Sequence, residues 1–208
     1  MFPYLYNEGP GLESILDFLG MIIVMSGIYL RMAARGHKRS HSSQGHALVM
    51  TGPYSFVRNP MYLGSFLMGA GFILLVWPWW SLPLFAFLFY VRFSRQVRGE
   101  EQYLASMFTK DYEEYCRRVP QIFPTPSALQ QINFVRDFPP EEAFSTKEKR
   151  GLLFWPLLAI VLETFQELVV YGQVRMAKMV LMILFAIVVF GIALWTLYVG
   201  SSHAQNSK

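Results

Sequence analysis

The sequence has little charge and a single cysteine. Of its 208 residues, 15% are charged and 53% are hydrophobic, whereas soluble domains usually have about a quarter charged. This composition disfavours an ordinary soluble domain. The lone Cys116 excludes an intrachain disulfide. It lies beside Arg117 and Arg118 with no recognisable histidine partner, so we expect an ordinary thiol and predict no metal ligands.

Basic residues are missing from the first 14 residues. Of the 18 Lys and Arg, five lie between Arg31 and Arg58 and ten between Arg92 and Arg150. Because basic loops remain on the cytoplasmic side of a membrane, this asymmetry predicts an external N-terminus and cytosolic loops. It also explains the net charge of +4 without a nucleic-acid partner. The first residues do not have the pattern of a cleaved secretory signal.

Long apolar runs predict membrane-spanning helices. The first runs from about Ile15 to Ala34, a length that matches the bilayer core. Two further runs, Met61 to Trp77 and Leu82 to Phe93, are separated by a turn rich in tryptophan and proline, which is typical of a helical hairpin at the membrane interface. Both open ends of the hairpin are expected to face the cytosol.

The C-terminal part allows two interpretations. The run from Leu152 to Leu162 is followed by Glu163 and Glu167, which share a helix face. Carboxylates are costly in lipid, so residues 152–171 are either a fourth span with these groups facing a cavity, which we favour, or an interfacial helix. A last run from Met179 gives about five spans. The predicted fold is an all-α polytopic membrane protein.

Between the hairpin and the C-terminal runs the chain is polar. Residues 100–118 are rich in helix formers, and Pro120 to Pro140 is expected to be an extended connector. We divide the chain into an N-terminal part with the first span (1–44), a core containing the hairpin (45–124), the connector (125–150) and the C-terminal helices (151–208). Oligomeric state is not predicted.

Two polar stretches are not explained by crossing a membrane. Residues 45–64 contain Gly-His-x-Leu-Val-x-x-Gly-Pro-Tyr-x-x-x-Arg-Asn-Pro-x-Tyr-x-Gly, and residues 100–120 contain Glu-Glu-x-x-Leu-x-x-x-Phe-x-x-x-Tyr-x-x-Tyr-x-x-x-Val-Pro. By residue type alone, the first stretch is better explained as a structured juxtamembrane loop and the second as a solvated, salt-bridged helix. Together and in this order, they resemble the isoprenylcysteine carboxyl methyltransferases and the related phospholipid N-methyltransferases, over about Gly45 to Pro124.

This resemblance implies S-adenosylmethionine as cofactor, in a cytosol-facing pocket, and a lipophilic or lipidated acceptor. Carried over by position, it assigns cofactor contacts to His46, Ala47, Leu48, Val49, Tyr54, Asn59, Pro60, Tyr62 and Glu101. A Gly-x-Gly element of the phospholipid branch matches Gly69-Ala70-Gly71, although small residues commonly serve helix packing instead. Two positions depart from the prenylcysteine pattern, because Asn59 replaces a histidine and Thr109 replaces a glycine.

The chemistry of methyl transfer suggests roles for three charged residues. If the acceptor is a carboxylate, no base is needed, and Arg92 or Arg95 would orient it. If it is an amine, Glu100 would act as the base. A sterol-type membrane reductase using NADPH has a similar Arg-x-x-x-Tyr-x-Gly segment and remains an alternative, as does a non-catalytic membrane scaffold.

Overall fold

The computed structural model of the chain describes residues 10–42, 47–172, 174–189 and 191. Over these residues it contains helices and turns and no strand, which confirms the all-α prediction. Eight α-helices follow in chain order: α1 Pro10–His41, α2 Pro60–Val76, α3 Leu82–Arg118, α4 Pro126–Gln130, α5 Phe134–Asp137, α6 Pro140–Phe144, α7 Gly151–Tyr171 and α8 Met176–Val189.

Glycines allow α1 and α2 to pack closely. A Cβ atom added at Gly27 would lie 2.6 Å from the Gly64 carbonyl oxygen, and one added at Gly71 would lie 2.6 Å from that of Gly20. Small residues at such crossings let helix backbones approach within membranes. The glycines of the Gly69-Ala70-Gly71 element lie at similar close contacts, because Gly69 packs against the ring of Phe85 on α3 and Gly71 packs against α1. These glycines therefore serve helix packing.

The predicted hairpin is present as α2, a short 3-10 turn at Trp79–Ser81, and α3. The three tryptophans of the turn, at positions 77, 79 and 80, are each more than half exposed. Aromatic rings then join the two helices, because Phe66 on α2 contacts Phe85 and Phe89 on α3 at centroid distances of 5.6 and 5.3 Å. The hairpin holds the start of α2 near the middle of α3.

Helix α3 extends well beyond the apolar run and bends at Thr109. The backbone there has φ 39° and ψ −104°, outside the helical region. Beyond the bend, Tyr112, Tyr115 and Val119 form a small buried cluster against Leu48 and neighbouring side chains. A positive φ is easy for glycine and strained for threonine. The bend therefore lies at the position where the resemblance implies a glycine and this sequence has Thr109.

The connector is not extended as expected. It contains α4, α5 and α6 and a 3-10 turn at Lys147–Arg150, and it packs on α1. Phe138 and Ala143 are buried, and a Cβ atom at Gly36 of α1 would overlap the carbonyl oxygen of Glu142. The prolines of this segment predict an extended backbone, but proline is also well tolerated in the first turn of a helix. It is the first residue of both α4 and α6.

Helices α7 and α8 bury a charged cluster against α1. Glu163 and Glu167 are 3% and 2% exposed, and both contact Lys178 of α8. Asp17 of α1 also contacts Lys178. The carboxylates therefore face an interhelical space, as the span interpretation of residues 152–171 requires.

Apolar side chains cover much of the exterior. Leu84, Phe87 and Leu88 on α3 and Leu153 and Leu157 on α7 are all more than half exposed. Among the described helices, Leu12–His41 and Lys147–Val169 are long and apolar enough to cross a bilayer, while α2 and α8 are apolar but shorter. An apolar exterior around a buried polar cluster is that of a membrane protein. The number of spans and their orientation remain predictions, and the end of the last predicted span lies outside the described residues.

Candidate active site

The loop before α2 is joined directly to the end of α3. The backbone N–H of Arg58 donates to the Pro120 carbonyl at 2.8 Å, and that of Asn59 donates to the Gln121 carbonyl at 3.0 Å. The Tyr115 hydroxyl donates to the Tyr54 carbonyl at 2.7 Å. The two motifs, residues 45–64 and 100–120, are thereby brought into one site although 35 residues separate them in the sequence.

The shape of this loop depends on a tight turn. Gly52 has φ 60°, and a Cβ atom there would lie 2.7 Å from the ring of His37. Pro53 and Tyr54 follow in a buried 3-10 turn, and Pro60 begins α2. The His37 ring is held from both sides, by Glu142 at 2.7 Å and by the Thr51 hydroxyl at 2.9 Å. The loop is therefore built on α1 as well as on α3.

A cavity of about 860 Å³ lies between α1, this loop and α3. Its volume is within the range of small-molecule sites. Predicted cofactor residues that line it are Ala47, Leu48, Val49, Tyr54, Asn59, Pro60 and Tyr62. His46 lies outside the described residues.

The two adjacent glutamates have different environments. Glu100 lines the cavity and accepts a hydrogen bond from the Tyr62 hydroxyl at 2.5 Å. Glu101 is not among the lining residues. Its carboxylate accepts from the Asn59 amide at 3.0 Å and the Gln121 amide at 2.8 Å, and its distance to the Arg58 guanidinium is 3.2 Å. Glu101 therefore ties the loop to the end of α3, while Glu100 faces the space available to a ligand.

The arginines predicted to orient an acceptor are not on the cavity wall. Neither Arg92 nor Arg95 is among its lining residues, and the Arg92 guanidinium lies 5.2 Å from the centre of the Phe93 ring. The basic residues that line the cavity are instead Arg31, Arg35 and Lys38 of α1, together with Arg58.

By sequence alone, these α1 residues belong only to the basic segment that predicts a cytosolic loop. Their spacing of four and then three residues places them on one helix face, and this was the available signal. Other lining residues that were not predicted include Ser42, Ser65, Gln96 and Tyr103. Which helix face meets the cavity is set by α1–α2 packing, which no local pattern reveals.

Burial keeps the tyrosines of the site protonated. Burial and the nearby negative charge of Glu100 raise the pKa of Tyr54 well above its ordinary value. Burial likewise raises the pKa of Tyr115. Both hydroxyls therefore remain neutral donors throughout the physiological range. The hydrogen bond from Tyr115 to the Tyr54 carbonyl is accordingly independent of pH there.

A second, more apolar cavity of about 530 Å³ adjoins the first. Its walls include Ile28, Met68, Phe72 and Trp155 from α1, α2 and α7. Arg31 and Ser65 line both cavities, and the Arg31 guanidinium donates to the Ser65 hydroxyl. The first cavity is the more polar of the two and is called the polar cavity below. It meets the second, apolar cavity at Arg31 and Ser65.

In the part of the chain that the structure describes, two groups of side chains have ligand atoms close enough together to share a metal ion: His37, His41 and Glu142, and Glu13, Asp17 and Glu163. In the first group, His37 is already bonded to Glu142 and Thr51. In the second, the Lys178 ammonium contacts Asp17 and Glu163. Each group therefore has internal partners that account for its geometry without a metal.

The family model for phospholipid methyltransferase matches residues 12–111. This part of the chain is similar to the phospholipid methyltransferases. The match begins earlier than the predicted resemblance and includes most of α1. It ends inside α3, so the connector, α7 and α8 lie beyond it.

Curated relatives confirm the predicted resemblance to isoprenylcysteine methyltransferases. Protein-S-isoprenylcysteine O-methyltransferase of Saccharomyces cerevisiae is 39% identical over 109 residues, covering 49% of this chain and 46% of the relative. Its counterpart in Schizosaccharomyces pombe is 36% identical, covering 47% and 45%. The cobalt-zinc-cadmium resistance protein CzcN of Cupriavidus metallidurans is 32% identical, covering 56% and 53%. The chain spans about half the length of these relatives, and no solved structure matches it significantly.

Proposed function

We propose that the protein is an integral membrane methyltransferase that transfers a methyl group from S-adenosylmethionine to a lipophilic acceptor. The observation that carries this proposal is the junction of two cavities at Arg31. One is polar and lined by motif residues, and the other is apolar and formed by helices with a lipid-compatible exterior. Such a pair suits a polar cofactor beside an acceptor with a hydrocarbon chain.

The residues of the polar cavity fit the cofactor's functional groups. The carboxylate of Glu100 suits an ammonium or ribose hydroxyl, and the ammonium of Lys38 on α1 suits a carboxylate. Tyr54 and Tyr62 offer aromatic faces to an adenine or a sulfonium cation. Bound S-adenosylmethionine supplies an activated methyl group. We assign Glu101 to holding Asn59 and the loop in position, so its contribution to binding is indirect.

Positioning accounts for most of what the protein contributes to such a reaction. Methyl transfer is an in-line displacement, which is accelerated when the acceptor atom is held against the methyl carbon and water is kept out. A carboxylate acceptor needs no base. An amine acceptor must first lose a proton, and Glu100 is the cavity carboxylate placed to accept it. Arg92 and Arg95 lie on the exposed side of α3, away from the cavity, so any effect they have on the acceptor is indirect.

The same geometry supports a site facing the cytosol. Arg31, Arg35 and Lys38 lie at one end of α1, together with Arg58 before α2, as the positive-inside rule predicts. With five spans, the N-terminus would be external and the C-terminus cytosolic.

Calorimetry on the full chain in lipid nanodiscs tests the proposal. We expect S-adenosylmethionine to bind and NADPH not to bind. Glu100→Gln should weaken binding or abolish methyl transfer, whereas Glu114→Gln, which changes an exposed glutamate paired with Arg118, should do neither. Binding of NADPH alone would favour a reductase, and binding of neither ligand would favour a non-catalytic protein.

A further inference from the structure

The Glu148 carboxylate is held by two arginines of α1. The Arg31 guanidinium donates to both of its oxygens, at 3.3 and 3.0 Å. The Arg35 guanidinium contacts the same carboxylate at 3.0 Å. Such a fork of donors around one anion is the geometry by which arginine recognises carboxylates and phosphates.

This ion pair lies where the two cavities meet. Arg31 lines both cavities, Arg35 lines the polar one and Glu148 lines the apolar one. The side chains of Arg31 and Glu148 are 26% and 18% exposed, so the pair is shielded but not sealed. A lipophilic acceptor with its chain in the apolar cavity would place its head group at this point.

Glu148 does not come from the part of the chain similar to methyltransferases. It lies in the 3-10 turn Lys147–Arg150, at the end of the connector and directly before α7, whereas the match ends at residue 111. The arginines lie inside the matched region. A carboxylate supplied by the connector therefore occupies an anion site formed by α1.

We propose that Arg31 and Arg35 bind the anionic head group of the acceptor, and that Glu148 occupies this position until the acceptor displaces it. The inference rests on the proposed function for the identity of the acceptor. The anion is either the carboxylate of a prenylated cysteine or the phosphate of a phospholipid, since two guanidinium groups suit both. A neutral lipid would gain nothing from the site and would not compete with Glu148.

Direct binding of the acceptor, measured without cofactor, tests this inference separately from catalysis. The full chain in nanodiscs is titrated with a fluorescent farnesylated cysteine bearing a free carboxylate, and in parallel with its methyl ester. A fluorescent phosphatidylethanolamine forms the third arm. Binding of the first probe in preference to its ester identifies a carboxylate, and preference for the phospholipid identifies a phosphate.

Variants distinguish displacement of Glu148 by the acceptor from a purely structural role in which Glu148 anchors the connector to α1. Glu148→Gln keeps the shape of the side chain and frees the arginines, so it should tighten binding of the anionic probe on the order of tenfold. Arg31→Gln and Arg35→Gln should weaken binding of that probe and leave the ester unaffected. Glu141→Gln, which changes an exposed glutamate of α6, is the matched control and should change neither.

Either of two results would overturn the inference. One is unchanged or weaker binding of the anionic probe by Glu148→Gln, which is expected if Glu148 only anchors the connector to α1. The other is equal loss of anionic and ester probes in the arginine variants. Calorimetric binding of S-adenosylmethionine by the same preparations reports on the proposed function independently, so a failure of one is distinguishable from a failure of the other.

Discussion

Replacing Lys178 with methionine removes the central cation of the buried cluster between α1, α7 and α8. The Lys178 ammonium contacts Asp17 and Glu163 and lies 3.1 Å from Glu167 and 3.8 Å from Glu13. Its side chain is 8% exposed, and those of Asp17, Glu163 and Glu167 are each 3% exposed. Methionine fills a similar volume and contributes no charge. The carboxylates would then be left buried around an apolar group.

The expected loss of stability is about 3–5 kcal/mol, which is the usual result of removing one partner of a buried ion pair. A second substitution, Glu163→Gln, removes one of the uncompensated charges. The double variant should therefore be more stable than Lys178→Met alone by at least about 1 kcal/mol, because adjacent charges couple strongly. Arg175, which contacts Glu13 and Glu167, stays in place in both variants.

Unfolding by denaturant in detergent micelles, followed by tryptophan fluorescence, measures these differences. Lys149→Met, at an exposed position, is the control for loss of one positive charge and should stay within about 0.5 kcal/mol of the parent. A Lys178→Met variant as stable as the parent would refute the reasoning. It would mean that the cluster is solvated or that α8 does not pack against α1 and α7.

Three further perturbations follow from the geometry. Thr109→Gly should stabilise the protein by about 1 kcal/mol because it relieves the positive φ, whereas Thr109→Ala should not; the same denaturant assay distinguishes them. Gly27→Leu should destabilise the protein by about 3 kcal/mol or more, because the new Cβ would lie 2.6 Å from the Gly64 carbonyl oxygen. The control Gly99→Leu, at an exposed glycine whose Cβ would have no neighbour within 4 Å, should not destabilise it in this way. Tyr115→Phe removes the hydrogen bond to the Tyr54 carbonyl, so it should lower the free energy of unfolding by about 1 kcal/mol and weaken the binding of S-adenosylmethionine measured by calorimetry. Unaltered binding would show that this bond does not hold the loop.

The hairpin illustrates what could be predicted from local sequence. Its helices follow from two apolar runs, and its turn follows from tryptophan and proline, so α2 and α3 begin within a residue of the expected positions. The connector shows the limit. Its prolines predict extended backbone, whereas α4 and α6 have proline in their first turn and α6 packs against α1.

The site was predictable as a set of motifs but not as a set of roles. Glu100 and Glu101 are neighbours in sequence and were both expected at the ligand. Their different roles depend on the orientation of α3 about its axis. It brings Glu100 to Tyr62, and it brings Glu101 to Asn59 and Gln121. No periodicity within one helix could decide this.

The sequence by itself determined that the chain is helical, largely apolar and similar over about half its length to lipid methyltransferases, because composition, hydrophobic run length and motif order are properties of contiguous residues. Only the tertiary structure decided which charges meet. Arg31, near the end of the first apolar run, lies at the junction of the two cavities, where it contacts Glu148. Asp17, Glu163 and Lys178 come from three different helices and meet in one buried cluster. Such pairings arise from close packing of helices far apart in sequence, and their electrostatic energy depends on distances and burial that the order of residues does not contain.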